Sequence, residues 1–218
     1  MHLGVIPDGN RRYARKIGVS KRKAYRKATE LIADIADEID VEEATFYLLS
    51  EDNLERDEEE LDTLFDLMEE RIEELVQRFS DNDFSFNWAT TRPEALPEHL
   101  RQKLRDLEEE YDSGEKRMNA LISYSGKQDI VQAAQKVSGN GADFSRESIR
   151  EHLEINSDID FVVRTGDNPT REALSDFPIW NASYAEYYHL KKHFPAVTIE
   201  DVQEALDHYH QLRKKKGE

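Results

Sequence analysis

At 218 residues the chain suits one domain with a buried core and is barely long enough for two, so a single domain over 1–218 is expected, with about 211–218 as a loose tail. Its 47 acidic against 30 basic residues leave a net charge of −17, which repels nucleic acid and anionic membrane surfaces and argues against a nucleic-acid role. No cysteine is present to build a disulfide, a thiolate metal site or a thiol nucleophile, and no apolar run approaches the ~20 residues that span a bilayer, so a cytoplasmic protein with at most peripheral membrane contact is expected.

The apolar residues gather in short runs separated by longer amphipathic stretches, the alternation of a mostly parallel sheet covered by helices. In chain order the strands are expected at Leu3–Pro7, Ala44–Leu49, Asp83–Trp88, Asn119–Tyr124 and Ile159–Arg164, with a short sixth at Glu186–His189. After the first comes a helix through 21–40, with Ala28, Leu31, Ile32 and Ile35 on one face. After the second, Leu61, Leu64, Phe65, Met68, Ile72 and Leu75 form a helical stripe, and Asp57 with Glu60 reads as its capped start. Pro97 opens the next helix, DIVQAAQKV forms another, and Thr198 with Asp201 resembles a capping box before the last. The fold class is therefore α/β, one domain with a central sheet of about six strands.

In open α/β sheets ligands bind outside the carboxyl ends of the strands, which makes the residues after each strand the candidates. They are Asp8-Gly9-Asn10-Arg11-Arg12, Ser50-Glu51-Asp52-Asn53, Ser125-Gly126-Lys127 and Arg164-Thr165-Gly166-Asp167. A carboxylate beside arginines and helix starts suits a magnesium-bridged diphosphate, because magnesium takes carboxylate and phosphate oxygens and arginine reads phosphate bidentately. Each piece also has a plainer reading. Asp-Gly-Asn is a common turn, EDNLERDEEELD reads as a solvated helix start, and the apolar stripe reads as a face packed on the sheet. The histidines show no metal spacing and read as surface residues; neither a P-loop nor a GxGxxG fingerprint is present.

Taken together, HLGVIPDGNRRYARKIG, TFYLLSEDNLERDEEE, ISYSGKQDIVQAA and the segment from FVVRTGDNPTREALSDFPIWNASYAEYY onward resemble, in order, the motifs of the cis-prenyltransferase family. The resemblance implies an enzyme that adds isopentenyl diphosphate to an allylic diphosphate such as farnesyl or geranylgeranyl diphosphate, works with magnesium and forms a homodimer. It implies Asp8 at the metal and allylic diphosphate, with Gly9, Asn10, Arg11, Arg12 and Arg56 around the phosphates. Arg164, Arg171 and Ser175 would hold the diphosphate of isopentenyl diphosphate, Glu186 would help ligate magnesium across the dimer interface, and Ser50 and Asn53 would lie near the condensing carbons. The helix after the second motif would wall the prenyl tunnel, so Phe65→Ala is expected to lengthen products.

The chain departs from the family at phosphate positions. The family's glycine-histidine pair and second glycine after the first motif are replaced by a shorter VSKRKAYRKA, where Arg22 takes the histidine's place and Tyr25 the glycine's. Leu54 stands for the usual tryptophan, and the Arg164–Ser175 spacing is longer than usual. Two other outcomes are therefore open at this point: a noncatalytic partner subunit, or prenyl transfer to a different acceptor. The acid excess also suits a salt-rich cytoplasm, where screening removes self-repulsion. The fold is accordingly expected to be lost on transfer to low salt, followed by circular dichroism; a signal indifferent to salt would remove that explanation of the charge.

Overall fold

The computed structural model describes residues 1–141, 143–167 and 173–216, with side chains through Lys214. The apolar runs form β1 (His2–Ile6), β2 (Glu43–Ser50), β3 (Phe84–Ala89), β4 (Lys116–Tyr124), β5 (Phe161–Thr165) and β6 (Glu186–Leu190). They make one six-stranded sheet in the order β3-β4-β2-β1-β5-β6, with every neighbouring pair parallel. Parallel strands need crossover connections, and helices supply most of them: α1 (Asn10–Ile17), α2 (Lys21–Glu38), α3 (Glu58–Ser80), α4 (Glu98–Glu110), α5 (Gly126–Gly139) and α6 (Arg146–Glu151), with α7 (Ile199–Lys216) closing the chain. The expected α/β architecture is the one observed.

Alternation along each strand feeds two cores. Leu3, Val5, Phe46, Phe161 and Val163 pack with apolar residues of α2, α3, α4 and α7 on one face. Ile6, Tyr47, Leu121 and Val162 face the other way, onto Ile155, Ile159 and Phe177. Gly4 lets that second layer close: a Cβ there would lie 2.8 Å from the Phe177 ring.

The helix starts differ in detail from expectation. Ser20 caps α2 by accepting from the Lys23 N–H, while at α7 the expected Thr198–Asp201 pairing is present, with the Thr198 N–H donating to the Asp201 carboxylate at 3.0 Å. Asp57 occupies the N-cap position of α3 but makes no side-chain cap bond. The expected loose tail is also revised, because α7 continues to Lys216. Tyr209 of that helix is buried against Phe161, and Arg213 donates to its hydroxyl at 2.8 Å, which extends packing into the last turns. No helix among the described residues is long and apolar enough to cross a membrane.

From β1 the chain first winds to β2 and later, through β5, to the opposite side of β1. That reversal opens a crevice at the carboxyl ends of β1 and β5.

Candidate active site

β1 ends at Ile6, and the backbone after it turns through Gly9, whose φ of 97° lies in the left-handed region open to glycine. A Cβ on Gly9 would lie 2.6 Å from His193 Nδ1, so packing also requires glycine here. Asp8 is consequently held on all sides. Its N–H donates to Thr165 Oγ1 at 2.9 Å, and its carbonyl accepts from the Thr165 hydroxyl and the Phe194 N–H, both at 3.0 Å.

The Asp8 carboxylate joins two strand ends. Arg12, one turn along α1, donates to Oδ1 at 3.0 Å, and Arg164 of β5 donates to Oδ2 at 2.9 Å. Burial pushes the Asp8 carboxyl up, but the Arg164 hydrogen bond and the charges of Arg12 and Arg164 outweigh it and hold Asp8 below the usual carboxylate range. The Arg164 side chain is 3% exposed and also donates to Ser175 Oγ at 2.7 Å and to the Ala173 carbonyl. Asp167 pairs with Arg12 at 3.5 Å and with His193 Nε2 at 3.0 Å. Burial lowers the pKa of His193 in spite of the Asp167 charge.

A second cluster faces the first across the crevice. Glu60, its side chain 4% exposed, pairs with Lys21 at 2.5 Å and with Arg11 and Arg56 at 3.5 Å each. Arg56 also donates to the Tyr25 hydroxyl at 3.2 Å. Burial pushes the Glu60 carboxyl up, and the Lys21 hydrogen bond with the charges of Arg11 and Arg56 brings it below its ordinary value. Glu60 therefore serves as counter-ion to three cations rather than as a helix cap.

Between the clusters lies a cavity of about 410 Å³. Of the expected residues, Asp8, Gly9, Asn10, Arg11, Arg12, Ser50, Asn53, Arg56, Arg164 and Ser175 all line it. Its apolar wall comes from Ala28 and Ile32 of α2 and Leu64, Leu67 and Met68 of α3. Leu61 and Phe65, expected in that wall, are not among the lining residues; Phe65 is buried in the main core. Asn53 donates to Ser50 Oγ, which joins the two residues expected near the condensing carbons.

Three expected positions fall elsewhere. Arg22 is absent from the lining because its guanidinium reaches across to Glu70 on the exposed side of α3; Lys21 points to the cavity cluster instead. Glu186 pairs in register with Phe161, whereas Arg164 pairs with His189, so Glu186 sits three residues or roughly 10 Å toward the amino edge of the sheet. It does not meet Asp8 within one chain. Arg171 lies outside the described residues.

Among the described residues no group of three or more His, Asp or Glu side chains could cage a metal ion. An ionised Asp8 at the cavity and the buried Asn10 Oδ1, which has no hydrogen-bond partner among the described residues, are oxygen donors of the kind magnesium takes. One carboxylate, with substrate phosphates and water completing the shell, is a usual magnesium arrangement, so the residues fit that ion.

A family model described as "Putative undecaprenyl diphosphate synthase" matches residues 6–217. This chain belongs to the cis-prenyltransferase family. A "Tritrans,polycis-undecaprenyl-diphosphate synthase (geranylgeranyl-diphosphate specific)" of Thermoplasma acidophilum is 29% identical to this prenyltransferase over 231 residues, covering 99% of this chain and 88% of that protein. The structure of "a probable undecaprenyl diphosphate synthase" from Campylobacter jejuni matches with a TM-score of 0.76 at 25% identity, covering 96% of this chain and 94% of that one. Lavandulyl diphosphate synthase from Lavandula x intermedia shares the fold, with a TM-score of 0.87 at 24% identity over 95% of this chain and 94% of that one.

The sequence pattern did not single out Glu60 or His193 as neighbours of the site of this prenyltransferase. Glu60 carried no distinct signal, since it ends the acidic run Asp57-Glu58-Glu59-Glu60 and its spacing suggested a cap. His193, expected at the surface with the other histidines, has a side chain only 6% exposed.

Because the Glu60 pKa is depressed on folding, the stability it contributes is present above about pH 4 and lost as pH falls through the folded value. Glu60→Gln leaves three cations without their counter-charge and is expected to cost about 1–2 kcal/mol at pH 7, discounted for partly exposed partners, or roughly 2–8 °C in Tm. Thermal melts at pH 7 and pH 3 check this: the gap between wild type and variant should close in acid, and a constant gap would contradict the assignment.

Proposed function

We propose that this prenyltransferase condenses isopentenyl diphosphate onto an allylic diphosphate to give a polyprenyl diphosphate, with magnesium at Asp8. The observation that carries the reading is the ionised Asp8 held between Arg12 and Arg164, at the mouth of a cavity whose far wall is apolar. Two anion sites are implied by the placement of the cations. Arg12, Arg11 and Arg56, which line the cavity, surround the allylic diphosphate, and Arg164 with Ser175 holds the diphosphate of isopentenyl diphosphate. Arg171 is assigned to the second site by resemblance alone.

Magnesium, when bound, supplies charge neutralisation at the departing diphosphate. The chain's own groups do the rest. Arginines around the leaving group stabilise the charge that develops as the allylic C–O bond breaks and its electron pair leaves with the diphosphate. The apolar wall of Ile32, Leu64, Leu67 and Met68 keeps water from the allylic cation. The second anion site holds the isopentenyl double bond at the cation, so that its π electrons form the new carbon–carbon bond. A proton then passes from the isopentenyl unit to a diphosphate oxygen, near Ser50 and Asn53, whose polar atoms border the cavity.

By resemblance Glu186 is assigned to the site of a second copy in a homodimer, and strand register sets it away from Asp8 in its own chain. The edge position of β6 and the full exposure of Tyr184 beside it are consistent with an interface there. A noncatalytic partner subunit is not favoured, because a scaffold has no need of a buried arginine held on a cavity-facing carboxylate. The Thermoplasma acidophilum relative, named as geranylgeranyl-diphosphate specific, makes that allylic diphosphate the first to offer and farnesyl diphosphate the second.

Incorporation of labelled isopentenyl diphosphate into long-chain lipid tests the reading. Magnesium-dependent elongation by wild type is expected, falling at least about a thousandfold in a folded Asp8→Ala. Undiminished elongation by that variant would remove Asp8 from the mechanism. Leu67→Ala, rather than Phe65→Ala, is the variant expected to lengthen the products.

A further inference from the structure

Ser175 and Asp176 have φ angles of 51° and 63°, two successive residues other than glycine in the left-handed region. L side chains adopt that conformation only where surrounding structure enforces it, and such residues gather at functional sites. Here the enforcing structure is the first turn of α5. The Gly126 N–H donates to the Asp176 carbonyl at 2.8 Å and the Lys127 N–H to its Oδ1 at 3.2 Å, while the Ser125 hydroxyl donates to Oδ2. The Tyr47 hydroxyl reaches the same carbonyl at 3.4 Å. From the other side the fit is equally close, since a Cβ on Gly126 would lie 2.7 Å from the Phe177 carbonyl oxygen.

This gives the Ser125-Gly126-Lys127 segment a task that the chemistry above leaves unassigned. Its backbone donors and the positive end of α5 are already engaged by Asp176, so they hold the turn rather than an incoming anion. What the turn presents is Ser175, whose Oγ lies 2.7 Å from Arg164. We propose that Asp176 is a positioning residue for the isopentenyl diphosphate site: docked on α5, it fixes the left-handed turn that aims Ser175 and Arg164 at the same phosphate. The proposal rests on the reading that Arg164 and Ser175 bind that diphosphate.

The test separates the side chain from the backbone. Asp176→Ala loses both the carboxylate and tolerance of a left-handed backbone; Asp176→Asn retains an acceptor and that tolerance; Asp176→Gly retains the backbone alone; Gly126→Ala pushes on the turn from the α5 side. Steady-state kinetics with each substrate varied should show KM for isopentenyl diphosphate raised about tenfold or more in Asp176→Ala and Gly126→Ala. Asp176→Gly should fall between, Asp176→Asn should stay within about threefold of wild type, and KM for the allylic substrate should move less than about twofold throughout. Equal rises in both KM values, or a fall in kcat alone, would overturn the proposal and leave Asp176 a stabilising residue only.

Calorimetric titration with inorganic pyrophosphate provides the second measurement, independent of turnover. A wild type that binds pyrophosphate about tenfold more tightly than Asp176→Ala, yet shows no turnover, would sink the proposed reaction while supporting the positioning role. Identical affinities would overturn the positioning role, whatever the turnover.

Discussion

The carboxylate of Asp8 and the guanidinium of Arg164 meet at 2.9 Å across the seam where the sheet reverses its winding, and the remaining polar groups of the site are arranged around that contact. Neither residue could take its place without the parallel β1–β5 pairing, which sets Ile6 beside Arg164 and lets the next turn carry Asp8 over the strand end. Buried ion pairs of this kind give little net stability, because desolvation offsets much of the attraction. Their value here is in orientation. With Asp8 accepting on both oxygens and Arg164 also donating to Ser175 and the Ala173 carbonyl, the site's charges are fixed in direction before any ligand arrives.

A protein with a net charge of −17 repels the diphosphates it is proposed to bind, so local positive charge has to be concentrated and protected. The Glu60 cluster does this by a different device from the Asp8 pair. One buried acid gathers three cations with a local excess of positive charge, and two of them, Arg11 and Arg56, line the cavity. Tyr25 joins that cluster through Arg56 while Ala28 and Ile32, farther along the same helix, turn apolar. α2 thereby carries the change from the cation-bearing side of the cavity to its apolar wall within about two turns.

Much of this was legible in the sequence, and the reasons are local. Six short apolar runs between polar turns marked the six strands, and the polar residues after β1, β2 and β5 converge because parallel strands bring their carboxyl ends to one edge. What escaped were partners chosen across the chain. Glu60 stands three residues after Asp57, as a capping acid would, and only the approach of α1 and α2 shows that it serves Lys21 and Arg11. Arg22 had the expected position in sequence, but Glu70 of α3 holds it on the exposed side. His193 gave no signal, since its burial depends on the missing side chain of Gly9, a residue distant in sequence. Glu186 shows the limit of motif matching within one chain, because strand register sets it away from Asp8.

In the proposed reaction Asp8 provides the ionised oxygen through which a metal ion and a diphosphate are bound together. Calorimetric titration of inorganic pyrophosphate into wild type and Asp8→Asn, each with and without magnesium, tests it most directly. Magnesium should tighten pyrophosphate binding at least about tenfold in wild type and leave it nearly unchanged in Asp8→Asn, which keeps the shape and loses the charge. The same magnesium enhancement in both proteins would place the metal elsewhere and remove Asp8 as its ligand.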